Sequence, residues 1–221
     1  MVIVFDVNET LLDLRTLDPH FRRIFGRNEV RKEWFGLVLR NALTLTITGD
    51  YTDFLAVGGA SLQMVADQQQ VTLTNDDRNA IRTAMISMPP HPDVVPALEA
   101  MHSGGLRLAA LTNSPREAAV SQLENAGVAP LFDAILSVED TSKFKPAREV
   151  YEMASRHLGV ATGAMTMVAA HDWDIAGAMR AGCRGAYVTR PGMALNPLYP
   201  RPDFVGSDLN IIAEALLAHP A

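Results

Sequence analysis

Val2-Ile3-Val4-Phe5-Asp6 sets four apolar residues in a row directly ahead of one carboxylate. A run with no inside-outside alternation reads as a strand buried on both faces, the kind found in parallel sheets, ending in a turn at Asp6. Comparable runs recur at Leu106 to Leu111, Ala134 to Val138, Met165 to Ala170 and Gly185 to Thr189. Helical stretches separate them. Ser114-Pro115 offers an N-cap and a first-turn proline for a helix ending near Gly127. Pro146 opens another, through Tyr151 towards Leu158, and Asp174 begins a third that stops at Gly182. Strands alternating with helices predict an α/β fold whose parallel sheet is covered on both sides and whose ligands bind at the carboxyl ends of the strands.

From about Leu14 to Pro92 the alternation stops. Asp18-Pro19 starts a helix ending at Gly26, and Val30, Trp34, Leu37, Val38 and Asn41 to Leu45 outline a longer one with a mainly apolar face. A further helix starts near Asn75 and includes Ala80, Ile81, Ala84 and Met85, and Met88 to Pro92 is a proline-rich return linker. Gln68 to Gln70 reads as a solvated loop. The expected organisation is a core of residues 1–14 and 93–221 with an all-helical cap, 15–92, inserted after the first strand.

Composition narrows the function classes. The chain has 221 residues, 48% apolar and 20% charged, enough to bury a substantial core without disulfides. Its one cysteine, Cys183, cannot form an intrachain bridge, which fits a reducing, cytoplasmic setting. A net charge of -6 with no basic cluster beyond Arg31-Lys32 argues against nucleic acid and anionic membrane as partners. The short apolar opening before Asp6 has no basic leader and reads as neither signal peptide nor membrane span.

Four strand ends carry the polar residues. Asp6 points into the ligand crevice or serves as a turn aspartate, and Thr10, four residues on, bonds a carboxylate or the loop backbone. Thr112-Asn113-Ser114 gathers a hydroxyl, an amide and free N–H groups into a neutral anion cradle, with helix capping by Ser114 as the plainer account. Lys145, just ahead of a helix on the crevice side, either faces solvent or holds Asp6 ionised; at 4 Å and an effective dielectric near 20 that attraction is roughly 4 kcal/mol before desolvation. His171, with Asp174 three residues later, is a candidate base or a packing histidine beside Trp173. A metal site is disfavoured, because Asp6, His171 and Asp174 would be its only ligands.

These four clusters, in this order and with a helical insert after the first, resemble the haloacid dehalogenase superfamily, and most nearly its hydrolytic L-2-haloacid dehalogenases. The resemblance implies a Rossmann-like core with a helical cap, no cofactor, no metal and a homodimer. It further implies a short (S)-2-haloalkanoic acid and water as substrates, with an aspartyl-ester intermediate and a 2-hydroxy acid as product. By resemblance Asp6 is the nucleophile and Thr10 supports it. Asn113 and Lys145 belong to the second and third motifs and Asp174 to the last, with His171 beside it as a water-activating candidate. Asn8, Thr112, Ser114, Phe35, Arg40, Tyr151 and Trp173 are the candidate substrate-binding residues.

Magnesium-dependent phosphatases of the same superfamily are the enzymatic alternative, and a non-catalytic ligand-binding member is the other. The phosphatases need carboxylates where this chain has Asn8 and Ala170, which favours displacement at carbon. The dehalogenase pattern is also altered. An aromatic residue is expected at Asn8, glycine at Glu9, serine at Ala169 and asparagine at His171. Phe35 stands where the cap arginine that receives halide is expected. Either Arg40 takes over, or halide is met by Asn8, backbone N–H groups and aromatic edges.

Overall fold

The computed structural model describes residues 1–219. Six strands, β1 (Val2–Phe5), β2 (Arg107–Thr112), β3 (Ala134–Ser137), β4 (Met165–Ala169), β5 (Arg184–Val188) and β6 (Phe204–Gly206), form one parallel sheet in the order β3-β2-β1-β4-β5-β6. All four β1 residues are buried, as expected of a central strand covered on both faces. β1 pairs with β2 on one side and β4 on the other, with Phe5 opposite both Ala110 and Val168. The loops after these three strands therefore leave the sheet at the same edge, where the strand order reverses and a crevice opens.

Between β1 and β2 lie the helices α1 (Asp18–Phe25), α2 (Val30–Thr48), α3 (Phe54–Gln68), α4 (Asn75–Ile86) and α5 (Val94–Ser103). Beyond β2, α6 (Arg116–Asn125), α7 (Arg148–Leu158), α8 (Asp172–Arg180) and α9 (Leu209–Ala218) alternate with the strands. The Trp34 indole N–H of α2 donates to the Gly58 carbonyl of α3 at 2.9 Å, and Asp53 caps α3 by accepting from the Ala56 N–H. α4 starts with a capping box between Thr74 and Asp77. No helix among the described residues is long and apolar enough to cross a membrane.

Several sequence expectations shift. Ser114 does not cap α6: Pro115 holds that position without a side-chain bond, and the Arg116 N–H is satisfied by the Glu139 carboxylate. α8 starts at Asp172 rather than Asp174. Gln68 closes α3 instead of lying in a loop, and Gln70 turns the chain with φ 56°. α3 escaped notice because Gly58-Gly59 interrupts its pattern, each glycine costing about 1 kcal/mol against alanine in a helix. Trp34, Val57 and Leu62 supply the packing that outweighs it.

Candidate active site

Asp6 is 5% exposed and starts the turn after β1, its N–H donating to Val168 of β4. Lys145 Nζ, 2% exposed as a residue, donates to Asp6 Oδ1 at 2.8 Å, Asp174 Oδ2 at 2.6 Å and the Leu111 carbonyl at 2.9 Å. Its three ammonium protons thus have three acceptors. Thr10 Oγ1 donates to Asp6 Oδ2 at 2.6 Å and accepts from the Ala170 N–H, tying the first loop to the end of β4. Tyr151 of α7 donates to Asp174 Oδ1 at 2.7 Å. α8 passes so close to this hydroxyl that a Cβ at Gly177 would stand 2.8 Å from it, so glycine is required there.

His171 sits between two carboxylates. Nδ1 lies 3.1 Å from Asp6 Oδ2 and Nε2 3.0 Å from Glu9 Oε2, so both ring nitrogens act as donors. Burial alone would lower its pKa, but the bonds to Asp6 and Glu9 reverse this and raise it to about 10. Burial likewise pushes the Asp6 carboxyl up, and Lys145 and His171 together pull it well below the usual carboxylate range. Burial raises Asp174, with the Asp6 charge adding to it, against the opposing pull of Lys145. Lys145 itself is penalised by burial and raised by the two carboxylates. The site is a chain of alternating charge in which Asp6 is an anion clasped by two cations.

This geometry corrects two expectations. Asp174 does not orient the His171 ring; Glu9 does, while Asp174 serves Lys145 and Tyr151. Arg40 is exposed on α2. Five residues past Phe35, it is rotated about 140° from that side chain, onto the far side of the helix. Arg31, four residues before Phe35 and so within about 40° of it, faces the site instead. Its Nη1 lies 3.5 Å from Glu9 Oε1 and its Nε donates to Asp18 at 2.5 Å.

The second motif is turned inward. Thr112 Oγ1 accepts from the Ser114 N–H at 3.1 Å, and Asn113 Oδ1 accepts from the Lys145 N–H at 2.9 Å. Ser114 Oγ accepts from Asn8 Nδ2 at 3.2 Å, while Asn8 Oδ1 accepts from Gln122. Phe35 and Trp173 flank the His171 ring, with centroids 6.2 and 4.9 Å away. Glu9, Arg31 and Gln122 were not singled out as site residues. The one signal for Glu9 is its place in the first motif, where its φ of 63° is a left-handed conformation that glycine adopts freely.

Asp6 Oδ1 faces the Lys145 ammonium and Oδ2 the His171 ring. Among the described residues no three His, Cys, Asp or Glu side chains converge as a metal-holding group.

Residues 1–182 match the family of haloacid dehalogenase-like hydrolases, and the chain belongs to that family. It is 28% identical over 216 residues to (S)-2-haloacid dehalogenase 2 of Pseudomonas sp. (strain CBS-3), covering 97% of this chain and 94% of that one. Haloacetate dehalogenase H-2 of Moraxella sp. (strain B) is 26% identical over 204 residues, 91% of each chain. The structure of the L-2-haloacid dehalogenase from Xanthobacter autotrophicus with chloropropionic acid covalently bound superposes over the full length of both chains, with TM-score 0.92 and 23% identity. A predicted phosphoglycolate phosphatase from Haemophilus somnus 129PT superposes less closely, with TM-score 0.67 and 19% identity over 97% of this chain and 96% of that one.

The His171 assignment makes a pH prediction. A group whose folded pKa is raised to about 10 from an unfolded value near 6.5 contributes stability that is fully present below pH 6.5 and lost as pH rises through 10. Denaturant unfolding between pH 6 and 10 should therefore reveal a decline that is much reduced in His171→Asn. A decline of the same size in both proteins would mean that the ring is not the titrating cation.

Proposed function

We propose that the protein hydrolyses (S)-2-haloalkanoic acids, displacing halide from C2 with inversion and releasing a 2-hydroxy acid. The observation that carries this reading is the buried Asp6 carboxylate, kept ionised by Lys145 and His171 with no second carboxylate at Asn8 or Ala170 to serve phosphoryl transfer. Oδ2 already accepts from Thr10 and His171, whereas Oδ1 accepts from Lys145 alone, so Oδ1 is the oxygen that attacks. The C–halide electron pair leaves with the halide as the Asp6 ester forms. Lys145 and the turn at Asn113 and Ser114 steer the substrate carboxylate, and the aromatic faces of Phe35 and Trp173 keep water from the nucleophile.

Ester formation removes the charge of Asp6 and with it one of the two partners that hold the His171 proton. The ring's pKa then falls towards its ordinary value, and its proton passes to solvent, so that one proton and one halide leave the site together. The ring is thereby able to take a proton from the water that attacks the Asp6 carbonyl carbon. His171 is an acid-side donor in the first half of the cycle and a base in the second. His171→Ala should release one halide per site as a burst and then stall with an adduct on Asp6, detected by intact mass. Steady turnover at the wild-type rate without adduct would leave the ring as packing.

The overall reading is tested by measuring halide release from chloro- and bromoacetate and both 2-chloropropionate enantiomers, with and without a chelator, beside aryl phosphate hydrolysis with magnesium. Halide release indifferent to chelator is expected. Magnesium-activated phosphate release without dehalogenation would replace it with the phosphatase.

A further inference from the structure

His171 is gripped at both ring nitrogens, and the reaction treats its two partners differently. Nδ1 faces Asp6 Oδ2 and Nε2 faces Glu9 Oε2, at 3.1 and 3.0 Å. Phe35 and Trp173 lie against the ring, so the charged groups bonded to it are these two carboxylates, with Lys145 beyond Asp6 and Arg31 beyond Glu9. Asp6 becomes a neutral ester, whereas Glu9 takes no part in bond making and keeps its charge.

The fold holds Glu9 to this place. Its backbone is left-handed, with φ 63°, a conformation that a residue with a Cβ seldom adopts, and three sets of hydrogen bonds keep it so. The Glu9 N–H donates to the Leu12 carbonyl at 2.9 Å, and the Glu9 carbonyl accepts from His91 Nε2 at 3.2 Å. The next carbonyl, that of Thr10, accepts from Arg190 Nε and Nη2 at 3.1 and 2.8 Å, and Arg190 is itself anchored on both oxygens of Asp93. At the side chain, Arg31 Nη1 stands 3.5 Å from Oε1, which leaves Oε2 to the ring. Both carboxylate oxygens are thus committed, and the Nε2 proton has a fixed acceptor.

An imidazolium that must give up one proton gives up the one whose charged acceptor has been lost. We infer that Glu9 is the positioning residue for ester hydrolysis: by keeping a proton on Nε2 it leaves the lone pair of the neutral His171 ring on Nδ1, the nitrogen beside the Asp6 ester. This rests on the dehalogenase reading and adds to it the group that decides which ring nitrogen acts as the base. Water from the cavity of about 590 Å³ bordered by Glu9, Ala170 and His171 attacks the Asp6 carbonyl carbon and gives a proton to Nδ1. The bond from that carbon to Oδ1 breaks with its electron pair on Oδ1, which takes the proton back and departs as the product hydroxyl. The carboxyl left on Asp6, made of Oδ2 and the water oxygen, returns its remaining proton to Nδ1 and restores the resting imidazolium between two carboxylates.

The test is Glu9→Gln, which keeps the size of the side chain but not its charge, and whose amide either accepts from Nε2 or donates to it. With (S)-2-chloropropionate the rate of the halide burst should stay within about threefold of wild type, while the Asp6 adduct, followed by rapid quench and intact mass, decays at least about tenfold more slowly at its pH plateau. The limb along which adduct decay rises with pH should also move down by about one unit, because a neutral amide no longer favours the charged ring. A slower decay with the limb unmoved is what a merely structural residue would give and overturns the inference, as does an unchanged rate. Absence of halide release from the wild-type protein overturns the dehalogenase reading and the inference with it. A second measurement needs no turnover: nitrogen-15 NMR of the His171 ring in Asp6→Asn, where a neutral amide stands in for the ester. Once that ring is neutral its proton should sit on Nε2, and a proton on Nδ1 overturns the inference.

Discussion

Asp6→Asn should lower kcat by at least 10⁴, about 5.5 kcal/mol of barrier, the largest loss expected from any single substitution in the chain. An amide cannot form the ester at useful speed, and here it would also leave Lys145 and His171 facing a neutral group. The complementary measurement uses wild-type protein in excess over substrate in heavy-oxygen water. One turnover through an ester places the label on the Asp6 side chain, because water attacks its carbonyl carbon, and the first product carries none. Label confined to the product of that turnover would mean direct attack of water on C2, and Asp6 would not be the nucleophile.

Lys145→Met is the second large effect, and it falls on stability as much as on activity. The ammonium bridges Asp6 and Asp174, at 2.8 and 2.6 Å, and neither it nor the Asp174 side chain is exposed. Removing one member of a buried ion group leaves charge uncompensated and costs about 3–5 kcal/mol. In the variant, one carboxyl must take up a proton or the loop must open. Combining Lys145→Met with Asp174→Asn removes the surplus charge, so most of the lost stability should return in denaturant unfolding while halide release stays absent. If the double variant is no more stable than the single one, the loss comes from packing rather than from unpaired charge.

The sheet was legible because β1 and its relatives are apolar on both faces, a pattern only a covered parallel sheet produces. The carboxylate and lysine of the site were legible for a related reason: Asp6, Lys145 and Asp174 are charged residues at places where the neighbouring elements leave no route to solvent. The partners of His171 were not. Glu9 meets the ring only because its backbone turns left-handed, and side-chain type does not reveal a φ of 63°. Arg31 is one of three arginines in the interval from 27 to 40, and helical rotation relative to Phe35, rather than nearness in sequence, decides which faces the site. α3 stayed hidden because Gly58-Gly59 interrupts its pattern, and what outweighs them is the packing of its Val57 and Leu62 with Trp34 of another helix.

Glu9 and His171 also limit the order in which the site can be rebuilt. Restoring glycine at position 9 relaxes the backbone but strips the imidazolium of one of its two anions. Restoring asparagine at 171 alone leaves a carboxylate in an unfavourable conformation with Arg31 as its remaining charged partner. Each single exchange sacrifices an interaction that only the other exchange makes unnecessary. The pair therefore behaves as one mutational unit, and a directed-evolution library that samples one position at a time will find both changes deleterious even if the double replacement is fully active.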